Sequence, residues 1–212
     1  MTPVRAAFLT AADSAATLIA EPSVAAAWAR PSALAEMSVG ALAAHLGAQV
    51  QFAATTLDQA PPEGEPVGLL GHYERVTWIG ADLDAEVNVT IRGNAERTGA
   101  QGADEIGREV RDAIDRLRDR LDVEPPGRTV SPPAGPWALT LDDFLITRMM
   151  EIAVHSDDLA CSVGVDTPDL PGAVLLPVFE LLTALSVRRH GPTALLRALS
   201  RAERAPTTVA AF

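Results

Sequence analysis

Arg148-Met149-Met150-Glu151-Ile152-Ala153-Val154-His155-Ser156-Asp157-Asp158 is the stretch from which the rest of the chain is best read. At 3.6 residues per turn, Arg148, Glu151, His155 and Asp158 fall three, four and three apart, so they line one stripe of a helix. Leu141, Phe144, Leu145, Ile152, Val154 and Leu159 flank that stripe and predict a largely enclosed helix. A carboxylate and an imidazole in such a setting need a partner. One solution is a cation held by Glu151 and His155, which project side by side at i and i+4. The other is a structural ion-pair stripe, in which Arg148 neutralises Glu151 and His155 packs or caps. Spacing alone does not choose between them.

Working outward, alanine and leucine abound, β-branched runs are scarce, and the apolar residues repeat at three and four, which indicates an all-α protein. A first helix is expected from about Val4 to Ala20, ended by Glu21-Pro22. Ser38 is placed to cap a second helix reaching about Asp58, which Pro61-Pro62 and Pro66 terminate. From Val67 to Thr98 the pattern reads as helical with a break near Gly80, followed by a turn at Gly99 to Gly102. A charged amphipathic helix spans about Ala103 to Leu121. Its buried stripe is Ile106, Val110, Ile114, Leu117 and Leu121, and its alternating charges form a solvated face. The Pro/Gly-rich segment from Glu124 to Trp137 must be an ordered loop or short strand. Thr140 then caps the opening helix, with Asp142 and Asp143 in its first turn. That helix ends near Val163-Gly164, and a last helical region covers about Gly172 to Ala202. Residues 1–164 are expected to form the main bundle, and 165–212 a helical extension packed on the same domain.

Composition narrows the function. The chain has 212 residues, 48% of them hydrophobic, enough for one sizeable core. Its net charge of −11 argues against binding nucleic acid or an anionic membrane through basic contacts, and leaves small molecules as the expected partners. No apolar run approaches the roughly 20 residues of a membrane span, and Met1-Thr2-Pro3-Val4-Arg5 lacks a signal-peptide layout, so a cytoplasmic protein is expected. Cys161 is the single cysteine, which excludes an internal disulfide and a cysteine-based zinc cluster. Six residues past His155 it lies off the stripe, and it is expected to be a buried structural thiol.

A catalytic metal site needs a third protein donor. Three histidines remain, at 45, 72 and 190. His45 shares a helix face with Leu42, Gln49 and Phe52 that would point into a bundle, either as a core histidine or as a ligand. His72, after Gly71, and His190, before Gly191-Pro192, read as surface or capping residues.

Four segments together carry a resemblance to a known family: Trp28 with Pro31-Ser32, the run Met37 to Leu46, the approach Gly135 to Phe144, and the helix Arg148 to Ala160. In this order they resemble the mycothiol-dependent maleylpyruvate isomerase family, specifically its metal-binding N-terminal domain within the DinB-like superfamily. The resemblance implies a four-helix bundle with additional C-terminal helices, and His45, Glu151 and His155 as metal ligands. Zinc is the usual family metal, although the donor types also suit Fe(II), Mn, Co or Ni. The cofactor implied is mycothiol or a related low-molecular-weight thiol. The family's isomerases carry a C-terminal domain that contributes to substrate binding. The residues after 164 are expected to supply terminal helices in its place, which sets maleylpyruvate aside as the expected substrate.

The chemistry so implied is a thiolate, activated at the metal, attacking a small electrophile, with isomerisation or S-transfer as the result. Arg148 could pair with a substrate carboxylate or orient Glu151. Asp158 could hold His155 in the ligating tautomer or form a helix-surface ion pair, and Gln49 and Phe52 could line the pocket. Two alternatives stand beside this reading: a metal-stabilised binding or scaffold protein without turnover, and a metal-free acidic bundle. Homodimerisation through an exposed helix face stays open.

Overall fold

In the computed structural model, which describes all 212 residues, the backbone is a succession of helices broken by one two-residue ribbon. They are α1 (Pro3–Ile19), α2 (Pro22–Ala26), α3 (Val39–Leu57), α4 (Leu69–Tyr73), α5 (Glu86–Gly99), α6 (Ala103–Val123), α7 (Leu141–Val163), α8 (Gly172–His190) and α9 (Pro192–Ser200), with β1 (Thr129–Val130) and β2 (Leu139–Thr140) between α6 and α7. The expected all-α class is the observed one. Helices α1, α3, α6 and α7 pack as the bundle, α5 lies along α3, and α8 docks on α7 and α1.

The helix ends follow local chemistry. Thr2, Ser38 and Thr140 each accept a backbone N–H three residues on, at 3.3, 3.0 and 3.1 Å, and so open α1, α3 and α7. Gly164, at φ 73°, closes α7 in the left-handed conformation that glycine adopts without a Cβ penalty. Inside, Phe8, Leu42, Leu46, Leu117, Phe144, Leu145 and Met149 are fully buried in one core. Val174, Val178, Leu181 and Leu185 of α8 belong to the same core.

Two contacts set the helices that matter most. Where α3 begins, Trp28 Nε1–H donates to the Gly99 carbonyl at 2.9 Å, and a Cβ at Gly99 would lie 2.8 Å from the backbone of Gly40. The missing side chain at Gly99 therefore lets α5 approach the α3 backbone, while the one missing at Gly40 makes room for the Trp28 ring. Buried Arg5 donates to the carbonyls of Leu121, Glu124 and Pro125 at 3.1, 2.6 and 3.1 Å, and pairs with Asp142 at 3.0 Å. It satisfies the C-terminal carbonyls of α6 and ties them to the first turn of α7.

Three sequence expectations are corrected. Between 67 and 98 the chain forms only short α4 and then α5, with an irregular segment in between. Asn88 donates to the carbonyls of Ala81 and Asp82, and Arg92 to that of Leu83, so side chains supply the hydrogen bonds that a helix would have made. Cys161 is exposed, not buried, because the helical rotation one step beyond buried Leu159 and Ala160 turns it to solvent. His72, expected at the surface, is buried. His190 is partly exposed at a helix end, its Nε2 2.8 Å from the Ala210 carbonyl. No helix is long and apolar enough to cross a membrane.

Candidate metal centre

The stripe on α7 meets α3 at His45. One ligand atom each from His45, Glu151 and His155 lies within 4.8 Å of the others, although His45 is more than a hundred positions away in sequence. His155 Nε2 stands 3.2 Å from Glu151 Oε2, close to the roughly 3.4 Å edge of a tetrahedron built on metal–ligand distances near 2.1 Å. The two imidazoles meet edge to face, with centroids 4.8 Å apart and planes at 76°. Side-chain exposure is 15% for His155 and 16% for Glu151, so the cluster is enclosed but keeps a route to solvent.

Each donor is held by a neighbour. Asp158 Oδ2 lies 3.0 Å from His155 Nδ1, which fixes a proton on that nitrogen and turns Nε2 toward Glu151 and His45. Gln49 donates to the His45 carbonyl at 2.9 Å and accepts from Arg148 Nη1 at 2.5 Å, bridging α3 to α7. Arg148 also donates from Nε to Thr147 Oγ1 at 3.0 Å, and its guanidinium sits 5.4 Å from the centre of the Phe144 ring. It makes no ion pair with Glu151, so the simple Arg148–Glu151 neutralisation that the spacing allowed is not what forms. Phe52 is partly buried against the core.

Electrostatics sort the donors. Burial, reinforced by the neighbouring His155 charge, pushes the His45 pKa down to about 4 and leaves a neutral imidazole. Burial also works against charge on His155, but hydrogen bonds to Asp158 and Glu151 outweigh it and carry that pKa up to about 9. For Glu151, burial favours the neutral acid, yet His155 and Arg148 overcome it and hold the carboxyl down to about 2. Without a metal the cluster is thus a carboxylate and an imidazolium beside a neutral imidazole. A divalent cation taking the place of the His155 Nε2 proton would find two nitrogens and one carboxylate oxygen, a donor set that suits zinc and its first-row neighbours.

The family model for the mycothiol maleylpyruvate isomerase N-terminal domain matches residues 8–160. The chain belongs to this family. The match places it in the DinB-like superfamily and runs from α1 to the last turns of α7, so it takes in His45, Glu151 and His155. No curated protein and no solved structure matches the chain. Within this mycothiol maleylpyruvate isomerase N-terminal domain, sequence reasoning missed His72, which accepts a hydrogen bond from Trp137 Nε1 at 3.0 Å on its Nδ1. The available signal was Trp137 itself, a large amphipathic ring in a proline-rich loop that had to find a buried polar partner.

Proposed function

We propose that the chain is a cytoplasmic, mycothiol-dependent metalloenzyme. His45, Glu151 and His155 hold a divalent metal, zinc first, and the substrate is a small electrophile that undergoes isomerisation or S-transfer. The observation that carries this reading is the meeting of three ligand atoms from two helices within 4.8 Å, with the far nitrogen of one imidazole already held by a carboxylate. Membership of a mycothiol-related family supports the choice of thiol.

A divalent cation in this donor set lowers the pKa of a thiol that binds it and makes thiolate available at neutral pH. The protein's own residues do the rest. Asp158 keeps the proton on His155 Nδ1 and leaves Nε2 as the donor. Gln49 holds Arg148 against the α3 side of the site, where the guanidinium orients an anionic group of the thiol or substrate. Phe52, two turns after His45, lines the approach. The enclosure of the cluster limits competing water.

The test is a calorimetric titration of the zinc-loaded protein with mycothiol at pH 7, in buffers of different ionisation enthalpy. Binding with release of about one proton per site is expected, because the thiol binds as its anion. If zinc raises the melting temperature while mycothiol neither binds nor releases a proton, the protein is a metal-stabilised scaffold and the enzyme reading is wrong.

A further inference from the structure

Near the C-terminus the fold leaves one helix face uncovered. α9 rests on α8 and buries none of its residues, and its leucines Leu196 and Leu199, three apart on one side, are 67% and 78% exposed. Arg189 precedes this face, Arg197 falls between its leucines and Arg201 follows it, all three exposed. None of them meets a carboxylate, whereas Arg188 pairs with Glu74 and Arg204 with Glu203. From 188 to 204 the chain carries five arginines against the single Glu203, in a protein whose net charge is −11.

A second exposed apolar patch has the opposite charge. Where the irregular segment enters α5, Leu83 and Val89 are 45% and 48% exposed, and Asp82, Asp84 and Glu86, also exposed, form no ion pair. Arg92 reaches the Leu83 carbonyl at 2.8 Å, but Glu36 at 2.7 Å already neutralises it. Each patch thus has two uncovered aliphatic side chains and three unpaired charges, basic in one and acidic in the other. A short relay of contacts links them within one molecule: His190 Nε2 is 2.8 Å from the Ala210 carbonyl, the Phe212 ring lies 5.0 Å from that of Trp78, and Ala81 donates to the Trp78 carbonyl at 3.1 Å. Yet no charge of one patch pairs with a charge of the other in the fold.

We propose that the two patches are the halves of an interface between copies of this chain, with α9 of one copy on the 82–89 segment of the other and the reciprocal contact closing the dimer about a two-fold axis. Association takes the four aliphatic side chains of each contact out of water and sets arginines against carboxylates around them, an apolar centre with a charged rim. An anionic bilayer is the other surface that a short basic amphipathic helix can take, but Asp82, Asp84, Glu86 and the net charge of −11 oppose its approach. A second copy offers both the matching charge and the matching apolar residues. None of the three metal donors lies in either patch, so dimerisation and metal binding stand apart.

The experiment is sedimentation velocity on the full chain from roughly 1 to 100 μM, at about 0.05 and 0.5 M salt, with the melting temperature as a control on folding. Wild type is expected to dimerise, and to do so roughly tenfold or more weakly at the higher salt. Arg197→Glu with Arg201→Glu should weaken the dimer by roughly tenfold or more, and so should Asp82→Arg with Asp84→Arg, because like charges then face each other. All four changes in one chain restore opposite charges and should recover most of the affinity, a result that damage to the fold cannot imitate. Leu199→Ser should weaken the dimer at both salt concentrations without lowering the melting temperature, since so exposed a side chain contributes little to the fold. A wild type that stays monomeric at the highest concentration, a dimer indifferent to either charge reversal, or a fourfold variant no better than its parents would overturn the interface. Cosedimentation of monomeric wild type with phosphatidylserine vesicles would overturn it too, and would assign α9 to a membrane surface.

Discussion

In α6, Arg108 pairs with Glu105 and Asp112, and Arg118 with Asp115 and Asp13, at three- and four-residue steps or across to α1. In α7, Glu151, His155 and Asp158 stand at the same steps. The arginines of α6 keep 55% and 48% of their side-chain surface in water, whereas Asp158 keeps 24% and the other two keep less. Exposed pairs of the first kind contribute little and are screened by salt. In the second kind, enclosure makes each charge depend on its neighbours and separates the proton affinities of chemically similar groups. Equal spacing thus carries different chemistry according to what faces it. α6 faces solvent on its charged side, and α7 faces the one histidine of α3.

The strongest way to disturb both helices at once is Arg5, which joins the end of α6 to the start of α7. Arg5→Met should cost about 2–4 kcal/mol in chemical denaturation, because it strips buried carbonyls of their donor and leaves Asp142 alone. Metal stoichiometry should survive, since none of the three donors touches Arg5. A next change separates support from coordination within α7. Asp158→Asn should weaken metal binding roughly 10- to 100-fold in a chelator competition, by loosening the hold on His155 Nδ1, while zinc still binds at saturation.

A smaller effect is a pH dependence confined to the α3, α4 and α7 cluster. In the metal-free protein His155 is raised to about 9, so its contribution is full below the unfolded value of 6.5 and is lost as pH rises toward 9. His45 and His72 are lowered to about 4, so the unfolded chain takes up protons that the folded one refuses, and stability falls as pH drops from 6.5 toward 4. Metal-free protein should therefore be most stable near pH 6.5, with a loss on the order of 1 kcal/mol or more on either side in urea titrations. Metal should abolish the alkaline limb, because His155 then ligates without its second proton. The smallest effect belongs to α6. Arg108→Gln should leave the melting temperature and metal content within error at 0.15 M salt, and a clear loss of either would break the contrast between the two helices.

Much of this contrast was legible in the sequence. The five-residue apolar stripe of α6, the caps at Ser38 and Thr140 and the glycine stop at 164 are local signals, and local physics decides them. The three-four-three stripe of α7 was also plain, but whether it formed a site depended on a partner helix. Periodicity alone left His45 as either core residue or ligand, and family resemblance supplied the choice. What stayed hidden was set by distant packing. His72 follows a glycine in a five-residue helix too short to show a face, and its burial comes with the packing of α4 on α7 and α8 and the return of Trp137 from the loop before α7. Cys161 has the composition of a core residue but the wrong rotation on its helix. The segment between α4 and α5 reads as helical apart from the break near Gly80, but Asn88 and Arg92 take over its carbonyls and leave it irregular.

The central claim is that α7 becomes a metal platform because His45 completes it. The most direct test is metal content by elemental mass spectrometry on wild type, His45→Ala and Arg108→Gln, each purified without added metal or affinity tag. About one equivalent of zinc or another first-row metal is expected in wild type and in Arg108→Gln, with loss in His45→Ala. No metal in wild type even after supplementation, or full retention in His45→Ala, would contradict it.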